Sequence, residues 1–314
     1  MKRLALSLAA TLVAVSATAS WAADLGPLVT PQELQTALAA PSGAPVVLDI
    51  RSDAYAQGHI AGAVHAPYGL FRGPADNPGE LLPVEQLEAT YEKLGLDPQK
   101  PVVIVSQGDT DTDFGAAARV YWTLKSSGFT LLSVLNGGEQ AWVNAGQQVS
   151  TDAVKPVPTE LSITWNNAWT ADTPDVSNVV DGKQKAVLLD ARPPAFFEGK
   201  KAHPAASRPG TLPGAENYPY TKFFQSGATA ISNVTDARAL KSALGISDGQ
   251  EVISFCNTGH WAATDWFALS ELAGIENVKL YPGSVVEYSH GDGKMEHTPG
   301  LIDNLLNQFR SDKG

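Results

Sequence analysis

The chain has 314 residues, 43% hydrophobic and 18% charged, with a formal net charge of −11 at neutral pH and one cysteine, Cys256. An acidic chain without basic blocks excludes nucleic acid and anionic lipid as partners, and a lone cysteine excludes an internal disulfide. The length suggests two domains.

The N-terminus reads MKRLALSLAATLVAVSATASWAAD. Lys2 and Arg3 precede a mostly apolar stretch that ends in Ser20-Trp21-Ala22, with small residues at the two positions a signal peptidase reads. That pattern predicts a secretory signal at residues 1–22, too short in its apolar part to span a bilayer, and hence a periplasmic or secreted protein. No later apolar run is long enough for a membrane helix. Thr30-Pro31-Gln32-Glu33 has capping-box spacing with proline at the first helical position, so a helix begins there. Short continuous apolar runs at 46–50, 102–105 and 131–135 read as buried strands. Residues 83–94 and 114–126 have helical periodicity. The polar segment 149–160, with Pro156 and Pro158, reads as a linker between a first domain at 23–148 and a second at 161–314.

The second domain repeats the first. "VVLDIRSDAYAQGHIAGAVHAPY" starts at Val46 and "VLLDARPPAFFEGKKAHPAASRPGTLPGAENYPY" at Val187. Both run from an apolar strand through Asp-x-Arg (Asp49/Arg51 and Asp190/Arg192) to Gly-x-x-x-Gly-Ala, and the second copy carries about eleven extra residues between them. A strand, a polar turn, a helix-like segment and a second strand then follow in each. Ser106 occupies in the first copy the place of Cys256 in the second. Alternation of this kind is an α/β architecture, parallel sheets with helices on both faces. Ligands of such sheets sit beyond the carboxyl ends of the strands, where Cys256 falls. The Asp-x-Arg pairs are expected to tie each strand end to nearby backbone.

A lone cysteine is ordinarily a small buried hydrophobe. The setting of Cys256 argues otherwise: an exported thiol risks oxidation, and this one stands between a strand and a helix start. Asn257, Thr258, Gly259, His260 and Trp261 form a turn whose glycine lets the backbone curl, so that successive N–H groups face an anion at the sulfur. His260 is expected to add positive charge. The six histidines (His59, His65, His203, His260, His290 and His297) lack metal-ligand spacing, so no metal is expected.

The doubled Asp-x-Arg, the Gly-His-Ile-x-Gly-Ala box at 58–63 followed by Pro67, "SVLNGGEQAW" at 133–142 and the cysteine loop resemble the rhodanese family of sulfurtransferases. More narrowly they resemble its tandem-domain members, thiosulfate and 3-mercaptopyruvate sulfurtransferases, over nearly the whole mature chain. The resemblance implies two rhodanese-like domains, of which the first has lost its cysteine. It implies Cys256 as the catalytic nucleophile, a persulfide intermediate, and no cofactor. A small sulfur donor, a thiol or cyanide acceptor and a protein acceptor are the partners it allows. It also implies that the amides of Asn257 to Trp261 hold the sulfur anion. "CNTGHW" departs from both family loops, one basic and the other small and neutral, and the family's substrate arginine falls at Phe196. Arg208, in the inserted "KKAHPAASRPG", is the expected replacement. A cysteine phosphatase would need an arginine six positions after the cysteine, where Ala262 stands, so that reading is set aside. Two alternatives are a sulfur carrier that serves one partner protein without turnover and an inactive repeat protein. Cysteine kept in only one copy argues against the second.

Overall fold

The structure, a computed structural model, describes residues 25–300 apart from 233 and 235; the signal expected at 1–22 lies outside them. The short apolar runs form strands buried on both faces. The first sheet is parallel throughout, in the order Leu28–Val29, Leu132–Leu135, Val102–Val105, Val46–Asp49, Val64–His65. The second is likewise parallel, in the order Val278–Leu280, Glu251–Phe255, Ala186–Asp190, Glu216–Asn217. Thr170 bridges to Leu280 as the strand Leu28–Val29 pairs with Val134 and Leu135, so the repeat extends to the sheet edge.

Local chemistry repeats with the sheets. Thr30 caps the helix Pro31–Leu38 with a reciprocal Thr30–Glu33 box, and Asp172 caps Thr173–Val180 with Asp175 in the same way. Each box satisfies two otherwise orphaned N–H groups at a helix start. The remaining predicted elements appear as Val84–Leu94 and Asp113–Ser126.

Packing joins the halves. One hydrophobic core runs through both sheets, and a smaller one lies on the outer face of each. The helix Asp113–Ser126 of the first half lies against the helix Trp261–Trp266 of the second and its π-helical continuation Phe267–Leu272. Phe114 and Tyr121 meet Phe267 edge to face at 5.3 and 5.0 Å. Trp122 is wholly buried and donates to Trp169 O at 2.9 Å. Glu271 accepts from Tyr121 and Lys125, both at 2.9 Å. At about 1.5–3 kcal/mol for each large apolar side chain buried, this seam makes the halves one packed body. The segment expected as a linker is bonded to the first half. Val149 and Ser150 pair antiparallel with Ile60 and His59, and Thr159 bonds to Glu92 O and Leu96 O on and beside the helix Val84–Leu94. Backbone pairing and these two anchors turn a polar, proline-containing stretch into a strap on the surface of the first half.

Candidate active site

The strand Glu251–Phe255 ends at Cys256, whose chain then turns back over the sheet. Both Asp-x-Arg pairs make the backbone ties expected of them: Arg51 donates to Gly58 O and Arg192 to Gly210 O, each at 2.8 Å, while gripping Asp49 and Asp190. Arg192 also reaches Asn257 Oδ1 at 3.2 Å, which connects the strand end to the cysteine loop. Gly259 has φ +66, and a Cβ there would stand 2.6 Å from Pro282 O. That conformation and that approach both require glycine.

Ser284, which the sequence analysis did not single out, supports the loop from below. Its Oγ accepts from Cys256 N at 3.0 Å and Gly259 N at 3.1 Å, and donates to Tyr281 O at 2.8 Å. Val285 N and Val286 N donate to Cys256 O and Asn257 O. In the first half Glu139 N and Gln140 N make the same bonds to Ser106 O and Gln107 O, so Ser106 holds there the place of Cys256. Gly259 N is thus withdrawn from the set of loop amides expected to face the sulfur. The N–H groups of Asn257, Thr258, His260 and Trp261 have no acceptor among the described residues.

Cys256 is 1% exposed, and the first half covers this region. Arg72 Nη2 donates to Thr258 O at 2.8 Å, and Arg119 Nη1 to Gly259 O at 3.3 Å. Burial first, then the neighbouring Arg72 charge, bring Arg119 down to about 9, still cationic at neutral pH. Thr112 receives Trp261 Nε1 at 2.7 Å and faces His260 Nε2, with 2.8 Å to its carbonyl oxygen. Tyr68 OH lies 3.1 Å from His260 Nδ1.

Two expectations change here. Burial, followed by the Arg72 cation, holds His260 at about 4, so the ring is neutral. It donates from Nε2 to Thr112 O and accepts from Tyr68, and adds no positive charge near neutrality. Arg208 has another occupation: its guanidinium donates to the carbonyls of Tyr288, Ser289, Gly291 and Gly293 at the end of the helix Ser284–His290. Four carbonyls draw it to that helix end, and it anchors the insert. Phe196, at the family's arginine position, packs edge to face on Trp261 at 5.9 Å. Trp261 in turn stacks on Tyr220 at 5.3 Å. Asp265 is a further surprise: it is fully buried, neither carboxyl oxygen has a partner among the described residues, and its pKa is pushed well above the usual carboxylate range. Burial contributes most, with the charges of Cys256 and Asp190 next. The only sequence signal was a carboxylate in the apolar run "AATDWFAL". Among the described residues no group of three or more His, Cys, Asp or Glu converges as metal ligands would.

Comparison with known proteins accounts for this doubled scaffold. The family model described as the rhodanese-like domain matches residues 30–145 and again 175–290. The chain belongs to the rhodanese family of sulfurtransferases. The thiosulfate sulfurtransferase of Azotobacter vinelandii is 30% identical over 277 residues, covering 87% of this chain and 98% of that protein. The sulfur carrier protein TtuD of Thermus thermophilus is 28% identical over 258 residues, 78% of this chain and 87% of that one. Among solved structures, the rhodanese-fold SseA of Escherichia coli, a 3-mercaptopyruvate sulfurtransferase, superimposes with a TM-score of 0.71 at 24% identity, covering 83% of this chain and 99% of SseA.

Proposed function

We propose that this rhodanese moves a sulfane sulfur from a small donor, thiosulfate or 3-mercaptopyruvate, to a thiophilic acceptor through a persulfide on Cys256. The observation that carries the reading is the cysteine at the carboxyl end of an inner strand, under a loop whose amides of Asn257, Thr258, His260 and Trp261 have no acceptor among the described residues. The Cys256 thiolate attacks the outer sulfur of the donor. With thiosulfate the S–S bond breaks and sulfite leaves with its electron pair; with 3-mercaptopyruvate the C–S bond breaks and the enolate of pyruvate takes a proton. A thiol or cyanide then attacks the outer sulfur of the persulfide and returns the Cys256 thiolate, which completes covalent catalysis in two steps. The free amides stabilise the anionic sulfur as an oxyanion hole does oxygen.

The likeness to a sulfur carrier of Thermus favours one second reading, in which Cys256 holds a sulfur for a protein acceptor without turnover on small donors. Steady-state assays with both donors and cyanide, read beside intact mass, separate the two. Turnover with a transient gain of about 32 Da, one sulfur on Cys256, is expected of the enzyme, and the mass gain alone of a carrier. Cys256→Ala abolishes both signals and Ser106→Ala neither. Wild-type turnover in Cys256→Ala would overturn the mechanism. The charged start and small-residue end of residues 1–22 support export; an intact Met1 on the protein recovered from its native cells would count against it.

A further inference from the structure

The first half sets two positive charges against the cysteine loop, and among the described residues no carboxylate pairs with either. Arg72 and Arg119 both come from the first half, both touch the loop of the second, and neither forms a salt bridge among the described residues. Arg119 is held at both terminal nitrogens: Nη1 and Nη2 bond to Gly259 O and Gly79 O, the guanidinium lies 5.0 Å over Trp122, and among the described residues only its buried Nε lacks a partner. Arg72 is not. Its Nη2 holds Thr258 O and its guanidinium carbon lies 5.2 Å from the Tyr68 ring centre, but its buried Nη1 has no hydrogen-bond partner among the described residues. Its field also reaches His260 of the loop and His203 of the insert, where burial first and the Arg72 charge second depress the pKa.

Two like charges set side by side, partly out of water and without counter-charge, are costly unless an anion completes the set. A guanidinium with one edge fixed to the loop and the other free presents fork geometry suited to an oxyanion. His260 is neutral and Arg208 is bound at a helix end, so neither of these two second-half residues serves that purpose. We infer that Arg72 of the non-catalytic half binds the anionic group of the sulfur donor over Cys256, with Arg119 fixed behind it as background charge. The substrate class is then small sulfur compounds bearing a sulfonate or carboxylate, and the first half is a working part of the site. This rests on Cys256 being the reactive thiol and deepens the reading above.

The test uses two alkylating probes of nearly equal size on the full chain. Iodoacetate carries a carboxylate and iodoacetamide does not, so the ratio of their rates at Cys256, read by intact mass, reports anion recruitment without any sulfur transfer. In the wild type the ratio exceeds that of glutathione. Arg72→Gln, which keeps a donor for Thr258 O, lowers the ratio by about tenfold and Arg72→Lys by much less, as expected for one nearby charge. In parallel, Arg72→Gln raises KM for thiosulfate by about tenfold with kcat little changed, the signature of lost binding. An unchanged ratio in Arg72→Gln, or a wild-type ratio equal to that of glutathione, overturns the inference, and the second comparison needs no variant to fold. If no donor turns over yet the ratio falls in Arg72→Gln, the anion site stands and the sulfurtransferase reading fails.

Discussion

Ser284→Ala is the sharpest probe of how the cysteine loop is held. The substitution removes one oxygen that accepts from two buried amides, Cys256 N and Gly259 N, and that donates to Tyr281 O. Ser284 is fully buried, so water does not replace the lost partner. Stranding two donors and weakening one acceptor costs about 2–5 kcal/mol, since each buried group left unpaired costs roughly 1–3 kcal/mol. For a protein of this size the melting temperature falls by roughly 3–8 °C. Ser284 also sits at φ +54, a left-handed conformation that the first half gives to Gly138 at the corresponding place. Ser284→Gly loses the same bonds but relieves that strain, and is therefore more stable than Ser284→Ala by about 1 kcal/mol. Thermal and urea unfolding of the two variants, with sulfur transfer measured at a temperature where both are folded, form the assay. Both lose activity by about tenfold or more, because small displacements of a reacting atom are expensive. Melting indistinguishable from wild type in Ser284→Ala, or a glycine variant less stable than the alanine variant, would refute the reasoning.

Two pH effects of opposite sign follow from buried groups. His260 has its folded pKa lowered to about 4, below the usual 6.5, so the unfolded chain binds the extra proton between those values. Its contribution to stability is complete above about 6.5 and is lost as pH falls towards 4; His260→Gln flattens that slope in unfolding measured across the range, and an unaltered slope would contradict the assignment. Glu139 lies 3.7 Å from Arg51 beneath the Ser106 turn, and burial raises it to about 7 despite that arginine. Here the folded state holds the proton, so stability falls as pH rises from about 4.5 through 7, and Glu139→Gln removes the decline. The same profile in both proteins would show that Glu139 ionises as freely folded as unfolded.

The fold was legible because its signals are local. Capping at Thr30, the apolar runs, and the doubled Asp-x-Arg act within a few residues, and period and composition report them directly. Cys256 stood out for the same reason: a strand, a glycine turn and a helix start are adjacent in the chain. The hold of the first half on the linker was not legible, because the segment's composition is polar while its backbone partners, Ile60, Glu92 and Leu96, lie far away in sequence. Composition reports what a segment can solvate and says nothing of which carbonyl it meets.

The charge of the site illustrates the division most clearly. By itself the sequence determined two copies of one strand-and-helix pattern, the single copy that retains a thiol, and the turn that frees amides beside it, since each depends on residues close along the chain. Only tertiary structure decided which cations reach the cysteine loop. Arg208, nearer in sequence, is captured by carbonyls at a helix end, while Arg72 and Arg119 reach the loop from 186 and 140 residues away. The cause is the packing of helix Asp113–Ser126 on Trp261–Trp266, which brings the two halves' loops face to face. Electrostatic interactions fall off with distance in space, and distance along the chain has no bearing on them.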